Sequence, residues 1–217
     1  PSLEADGLTI GIVTSIVGSR QFHIEATGIQ NHAGTTRMDI RKDAGAALMR
    51  IYHQIETRFP ALARPRTVWT VGKIVLDPGA PSIVPGRAEM LFQFRDTDFE
   101  LLERMHAALD EIVAEENAKG PCQVTLSSQG SSVPAAMDPS MQDAIEASAE
   151  RLVPGKHVRM PSGAGHDART IAQVLPTAMM FIPSIGGVSH HYIEDTSDED
   201  IATGAQVFVE AVHRMLD

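Results

Sequence analysis

TVWTVGKIVLDPGAPSIVPGRAEMLFQFR, residues 67–95, reads as two strands, 67–76 and 87–95, joined by a Pro- and Gly-rich link over 77–86. Its neighbours decide what the pair belongs to. Upstream, QFHIEATG (21–28) alternates, with Phe22, Ile24 and Ala26 on one side. A helix then starts near Asp39, a plausible cap, with Ala44, Ala47, Leu48, Ile51 and Ile55 at helical spacing. Downstream, Thr97 and Glu100 form a capping box before a helix carrying Leu102, Met105, Leu109, Ile112 and Val113. KGP (119–121) ends that helix, and CQVTLSS (122–128) is the last strand. Strand, helix, strand, strand, helix, strand is the split βαβ, ferredoxin-like order. Such a sheet has two helices on one face and an open face opposite, and an open face or edge often becomes a dimer surface.

From about Val133 the pattern changes. Asp138 and Pro139 start a helix that ends at PG (154–155), followed by a short strand at HVRM (157–160), a helix near 167–174 and a strand at TAMMFIP (177–183). A long final helix begins after Thr196, with Glu199 three residues on and a stripe of Ile201, Ala205, Phe208, Val212 and Met215. LTIGIVTSIV (8–17) supplies one more strand to this α/β part. TAMMFI is apolar on both faces, as suits a central strand. Three helices and about three strands are too few for a sheet covered on both faces, so this part is expected to be the back half of a larger domain.

Composition narrows the function classes. A net charge of -10 over 217 residues, with no Lys/Arg cluster, argues against nucleic acid. The single cysteine, Cys122, excludes an internal disulfide framework and a cysteine-based zinc cluster, and fits a reducing compartment. No apolar run approaches a membrane span and PSLEADGLTIG is no signal peptide, so a cytoplasmic location is the default expectation. The chain begins at Pro1 without Met, so an upstream segment is expected to be missing.

Four places hold chemistry-bearing residues. In GIQNHAGTTRMDIRKDA (28–44), Asn31, Thr35 and Thr36 surround His32 with donors and acceptors and no apolar packing. An imidazole so placed can donate to a carbonyl oxygen as charge develops on it; the plain alternative is that its ring caps the following turn. In MPSGAGHDA (160–168), Gly163 and Gly165 permit close backbone approach and His166 can meet an anionic or carbonyl group; the alternative is an ordinary helix-start turn capped by Asp167. GGVSHHYIED (186–195) follows a buried-type strand, where His190 or His191 can offer one metal ligand, with Glu194 or Asp195 near enough to orient the ring. One ligand is not a binding site. Arg95 ends its strand and can grip a carboxylate bidentately, although spacing alone favours a local pair with Asp96 or Asp98.

LEADGLTIGIVTSIVG, NHAGTTRMDIRKDA, PSIVPGRAEMLFQFRDTD, SGAGHDA and GVSHHYIEDTSDED occur in this order over essentially the whole chain. Together they resemble the M20 metallopeptidase superfamily, in its hydantoinase/carbamoylase amidase branch. That branch includes N-carbamoyl-L-amino-acid hydrolases, β-ureidopropionases, allantoate amidohydrolases and ureidoglycolate hydrolases. The resemblance implies an α/β chain in which a ferredoxin-like α+β lid and dimerisation domain, residues 20–133, is inserted in an incomplete metallohydrolase catalytic domain, residues 1–19 and 134–217. It implies two divalent ions per full-length subunit (Zn, Mn, Co or Ni), a homodimer through the lid, and a small ureido or carbamoyl acid as substrate. His32 resembles the lid histidine that reaches the partner's active site, and Arg95 the lid arginine that clamps the substrate carboxylate. Ser82 stands thirteen residues before Arg95, where the family often has Asn, and Arg37 stands where Pro is common. Gly165 and His166 match the segment that contacts substrate, Asn31 belongs to the His32 motif, and only His190 matches a metal ligand. The other ligands and the general-base Glu lie upstream of Pro1 in the family pattern, so the fragment alone is expected to be inactive. The rival expectations are a non-catalytic truncated dimerisation module and an M20 aminoacylase or dipeptidase.

Overall fold

Alternation of apolar and polar residues sets the strands of this protein, and carboxylates cap the helices that start at Ala44, Phe99 and Pro139. The computed structural model describes residues 2–216. The elements begin with α1 (Ser2–Asp6), β1 (Ile10–Ile16), β2 (Gly18–Thr27), the short β3 (Asn31–His32) and α2 (Ala44–Leu62). Next come β4 (Val68–Asp77), the short β5 (Ile83–Val84), β6 (Arg87–Asp96), α3 (Phe99–Lys119) and β7 (Gln123–Ser132). The remainder is β8 (Ala135–Ala136), α4 (Pro139–Leu152), β9 (His157–Ser162), α5 (Asp167–Ile171), β10 (Met180–Phe181) and α6 (Asp198–Leu216). The chain divides into two compact units, Gly18–Val133 and the flanking segments up to Val17 and from Pro134. Among the described residues no helix is long and apolar enough to cross a membrane.

In the unit Gly18–Val133 the sheet runs β4-β6-β2-β7, antiparallel throughout. Because successive side chains alternate between faces, Phe22, Ile24 and Ala26 of β2 and Ala88, Met90, Phe92 and Phe94 of β6 share one buried face. Two helices cover it, α2 through Leu48, Ile51, Ile55 and Phe59 and α3 through Leu102, Met105, Leu109 and Ile112. Phe59 is the hub: its ring meets Trp69, Phe92 and Phe94 at centroid distances of 5.8, 5.7 and 5.6 Å. Burying one such side chain stabilises by about 1.5–3 kcal/mol. An extra residue at Gly72 shifts the β4–β6 register between Val71 and Lys73, a bulge that a strand near a sheet edge tolerates.

The helix starts differ from the sequence expectation. Asp39 lies in a 3-10 turn, Met38–Ile40, and pairs with Arg37, while Asp43 caps α2 by accepting from the Ala46 amide at 2.9 Å. Asp98, not Thr97, caps α3 through the Leu101 amide at 2.9 Å. The reason is Asp96, a buried carboxylate that accepts from Thr67 at 2.6 Å and from the Asp98 amide at 2.8 Å, which sets the chain one residue further on.

In the other unit, β1 is the middle of the sheet. It pairs with β9 in parallel and with β10 and β8 antiparallel. Its side chains are buried on both faces: Ile10 and Ile12 pack with Ile145, Ala149, Val207 and Ala211, whereas Val13 and Ile16 pack with Met137. TAMMFIP is not a central strand. Only Met180 and Phe181 pair, along one edge of β1. Asp138 does cap α4, through the Met141 amide at 3.0 Å, but the helix expected near 167–174 closes at Ile171. For α6 the cap is Ser197, whose hydroxyl accepts from the Asp200 amide at 3.1 Å, rather than Thr196 with Glu199. The buried face of α6 is Gly204, Val207 and Ala211, and of the expected stripe Phe208 remains 58% exposed. Gly204 decides this rotation, because a Cβ there would lie 2.6 Å from Cγ2 of Ile182; only the glycine face lets the helix seat against the strand segment.

Candidate functional site

The segment after β2 folds back on the segment before β6. The Gly28 amide donates to Gly86 O at 2.8 Å, and a Cβ on Gly28 would lie 2.0 Å from Lys42 O, so this crossing requires glycine. Beyond it β3 pairs with β5, setting Asn31 opposite Val84 and His32 opposite Ile83, and the Ala33 amide donates to Ser82 O at 2.8 Å. Asn31, His32 and Ser82 are thereby brought together at one end of the unit.

The turn fixes the His32 ring. Its Nδ1 accepts from the Gly34 amide at 3.0 Å and the Thr35 amide at 3.2 Å. An imidazole nitrogen that accepts carries no proton, so the hydrogen-bond pattern assigns the proton to Nε2. Thr36 donates its hydroxyl to His32 O at 2.7 Å, and Asn31 Oδ1 accepts the His32 amide at 2.8 Å. Arg41 ties the loop from outside, donating to Thr36 O at 2.9 Å and to Ala33 O. The ring does cap its own turn, and that capping is what leaves Nε2–H to face outward from an exposed side chain. Arg41 was not singled out in the sequence; its proximity to the NHAGTT motif was the available signal.

Arg95 sits elsewhere in the same unit. It lies opposite Ser19 on β2 and Val68 on β4, at the end of the sheet where the chain enters and leaves the unit. Its guanidinium donates to Gln93 Oε1 at 3.2 and 3.1 Å. Both aspartates expected to compete for it are engaged: Asp96 with Thr67, and Asp98 with Arg64 at 2.5 Å. Arg87, at the His32 end of β6, and Arg95 are roughly 26 Å apart at the rise of an extended strand.

In the other unit, Gly165 and His166 lie between β9 and α5. His166 Nε2 is 2.8 Å from Oγ of Ser162, and its ring rests against Phe181 with centroids 5.6 Å apart. Burial, with the Arg169 guanidinium second, pushes the imidazole below its ordinary pKa. Asp167 is the first helical residue rather than the cap. His190 adopts φ 59°, and its amide donates to Glu194 Oε2 at 2.9 Å. Glu194 therefore holds the main chain of the loop and not the ring, and Asp195 accepts from the Thr196 amide at 2.8 Å.

The donors among the described residues assemble no free ligand set for a resident metal ion. Among the described residues one trio of His, Cys, Asp or Glu brings its ligand atoms within 4.8 Å of one another: His23, Glu25 and Glu89, on the face of the β4-β6-β2-β7 sheet away from the helices. Cations already occupy it. Lys73 donates to Glu89 at 2.9 Å, and Arg87 to Glu25 at 2.5 Å and to Glu89 at 2.8 Å. The Lys73 ammonium first, and His23 next, hold the Glu89 carboxyl down at about 2. His190 belongs to no such trio among the described residues.

The sequence matches the family described as Peptidase family M20/M25/M40 over residues 1–214. It is 33% identical to an N-carbamoyl-L-amino-acid amidohydrolase of Rhizobium meliloti, covering 98% of this chain and 50% of that protein. It is 32% identical to an allantoate amidohydrolase of Escherichia coli (strain K12), covering 98% and 51%. The fold matches the crystal structure of an amidase (hydantoinase/carbamoylase family) from Burkholderia phymatum with a TM-score of 0.90 and 44% identity, over 98% of this chain and 51% of that one. The chain thus spans about half the length of the curated relatives it matches. Matched along nearly all of its residues, it belongs to the peptidase family M20/M25/M40.

Proposed function

We propose that this chain is the substrate-gripping part of a metal-dependent amidohydrolase of the hydantoinase/carbamoylase branch, which cleaves the C–N bond of N-carbamoyl amino acids or related ureido acids. The observation that carries the reading is the His32 turn, whose two amides occupy Nδ1 and leave a fixed N–H donor beside Ser82. A donor held before the reaction begins stabilises a developing oxyanion without reorganising. Arg95 anchors the carboxylate end of the substrate, which fixes the scissile carbonyl.

Gly18–Val133 is then the ferredoxin-like lid, a reading supported by its strand order and by two helices on one face. His32 and Arg95 stand at opposite ends of that lid, so one small substrate meets both only when they come from different copies. This supports a homodimer in which His32 works in the partner's active site. The flanking unit is part of the catalytic domain. Members of the family typically bind divalent metals, and of the residues described His190 is the one proposed as a ligand.

The test is a panel on the full-length protein with divalent metal supplied: N-carbamoyl amino acids, allantoate and ureidoglycolate against N-acetyl amino acids and dipeptides. Hydrolysis confined to the ureido compounds supports the reading, and hydrolysis confined to the N-acetyl compounds or dipeptides refutes it. A second reading, a non-catalytic dimerisation module, is favoured by the occupation of the one donor trio among the described residues by Lys73 and Arg87. It requires that this chain alone self-associates with neither stoichiometric metal nor turnover.

A further inference from the structure

Ser162 is the last residue of β9, and its side chain is shut away from solvent at 1% exposure. Its main chain is spoken for, since the Val17 amide donates to Ser162 O at 3.1 Å. The hydroxyl has three polar neighbours: Ala164 N at 3.2 Å, Ala164 O at 3.1 Å and His166 Nε2 at 2.8 Å. A hydroxyl holds one proton and two lone pairs. The Ala164 amide can only donate and the Ala164 carbonyl can only accept, so the serine proton goes to the carbonyl. The contact with His166 is then satisfied only if Nε2 donates. Were the proton given to Nε2 instead, two oxygens would face each other at 3.1 Å with no hydrogen between them, a repulsion set against a buried hydroxyl.

With its proton on Nε2, a neutral His166 has a bare Nδ1, and no partner meets that atom among the described residues. Burial disfavours the charged form of the ring. We infer that Ser162 is a positioning residue that locks His166 with Nδ1 as a hydrogen-bond acceptor, and that this acceptor takes an N–H of the terminal amide of a ureido group. The substrate half rests on the reaction proposed above. A carbamoyl group ends in –NH2 and an acetyl group in –CH3, so the acceptor favours the first and leaves Nδ1 unsatisfied with the second.

The experiment has two arms on the full-length protein. In the first, histidine-selective 15N labelling reads the two ring nitrogens of His166 without substrate, with assignment by His166→Asn. The expected result is a protonated Nε2 and a bare Nδ1, lost in Ser162→Ala and restored in Ser162→Thr. A protonated Nδ1 in the unaltered protein overturns the inference, whatever the variants do, and so does an unchanged ring signature in a folded Ser162→Ala. In the second arm, Ser162→Ala lowers the ratio of kcat/KM for an N-carbamoyl amino acid to that for its N-acetyl analogue by about 5- to 10-fold, the worth of one neutral hydrogen bond. An unchanged ratio removes the substrate half. If no ureido compound is hydrolysed at all, the proposed reaction fails, while the ring assignment is still decided by the first arm.

Discussion

The amide of Gly34 donates to Nδ1 of His32 at 3.0 Å, and this bond selects the ring atom that the turn presents. In the proposed reaction, with Nε2–H as the donor, His32→Ala in the full-length protein is expected to lower kcat by about 100- to 1,000-fold, the usual effect of losing one oxyanion donor. Substrate binding changes far less. Steady-state kinetics together with equilibrium binding of a non-hydrolysed analogue measure the split, and an unaltered kcat removes His32 from the mechanism.

Arg41 acts one step back. Its two bonds to Thr36 O and Ala33 O brace the loop whose amides hold the ring. Arg41→Met should speed hydrogen exchange at the Gly34 and Thr35 amides and lower kcat by about 10- to 100-fold, because small misplacements of a catalytic group are costly. Identical exchange rates in the variant would show that the turn stands without its brace.

Arg95→Lys keeps the charge and loses the planar fork. KM for a carboxylate substrate is expected to rise on the order of 10- to 100-fold, in line with the loss of a charge-assisted hydrogen bond. The same substrate amidated at its carboxylate serves as the control and should not distinguish the two proteins. A KM that rises equally for both would place Arg95 in the scaffold of the sheet.

Acid stability should report on Glu89, whose carboxyl is held at about 2 by Lys73 and His23. The unfolded chain, with an ordinary carboxylate pKa, binds the proton first, so stability rises with pH across this window. The contribution of Glu89 is complete above the ordinary carboxylate range and is lost as pH falls through about 2. In Lys73→Met the carboxyl titrates higher, so its contribution is smaller and its loss is complete at a higher pH. Carboxyl-carbon NMR titration of Glu89 in both proteins gives the answer, and coincident curves would contradict the assignment of Lys73 as the main cause.

Gly204→Ala opposes two effects on α6. Alanine favours a helix interior by about 1 kcal/mol over glycine, but the added Cβ lands 2.6 Å from a branched methyl of Ile182. Overpacking of this kind costs about 1–3 kcal/mol, so thermal unfolding should show a lowered Tm. A raised Tm would mean that the strand segment gives way easily.

The strands of the unit Gly18–Val133 are legible because each side chain reports its face. Phe22, Ile24 and Ala26 were readable as buried from alternation, and the structure buries them. Helix starts were less legible, since polar residues cluster there and the sequence does not rank them. Asp39 and Asp43, Thr97 and Asp98, Thr196 and Ser197 each offered adjacent or nearby caps, and long-range contacts such as Thr67 to Asp96 made the choice. The face of α6 was misread for a related reason: Phe208 and Val207 are neighbours of similar hydropathy, and the deciding residue was a glycine with no hydropathy to display. At the candidate site, the NHAGTT and SGAGHDA motifs drew attention to His32 and His166. Which ring nitrogen each presents depends on Gly34, Thr35 and Ser162, a matter of angles that no residue order encodes.

His32 pairs beside Ser82 in the unit Gly18–Val133, and Arg95 stands near the far terminus of the ten-residue β6. Consider two gene copies in one cell, one damaged at position 32 and the other at position 95. In a mixed pair of subunits built as proposed, one reaction centre inherits both lesions and the other inherits neither. Two null alleles would then complement each other inside a single gene, and a growth selection on a ureido nitrogen source would reveal it.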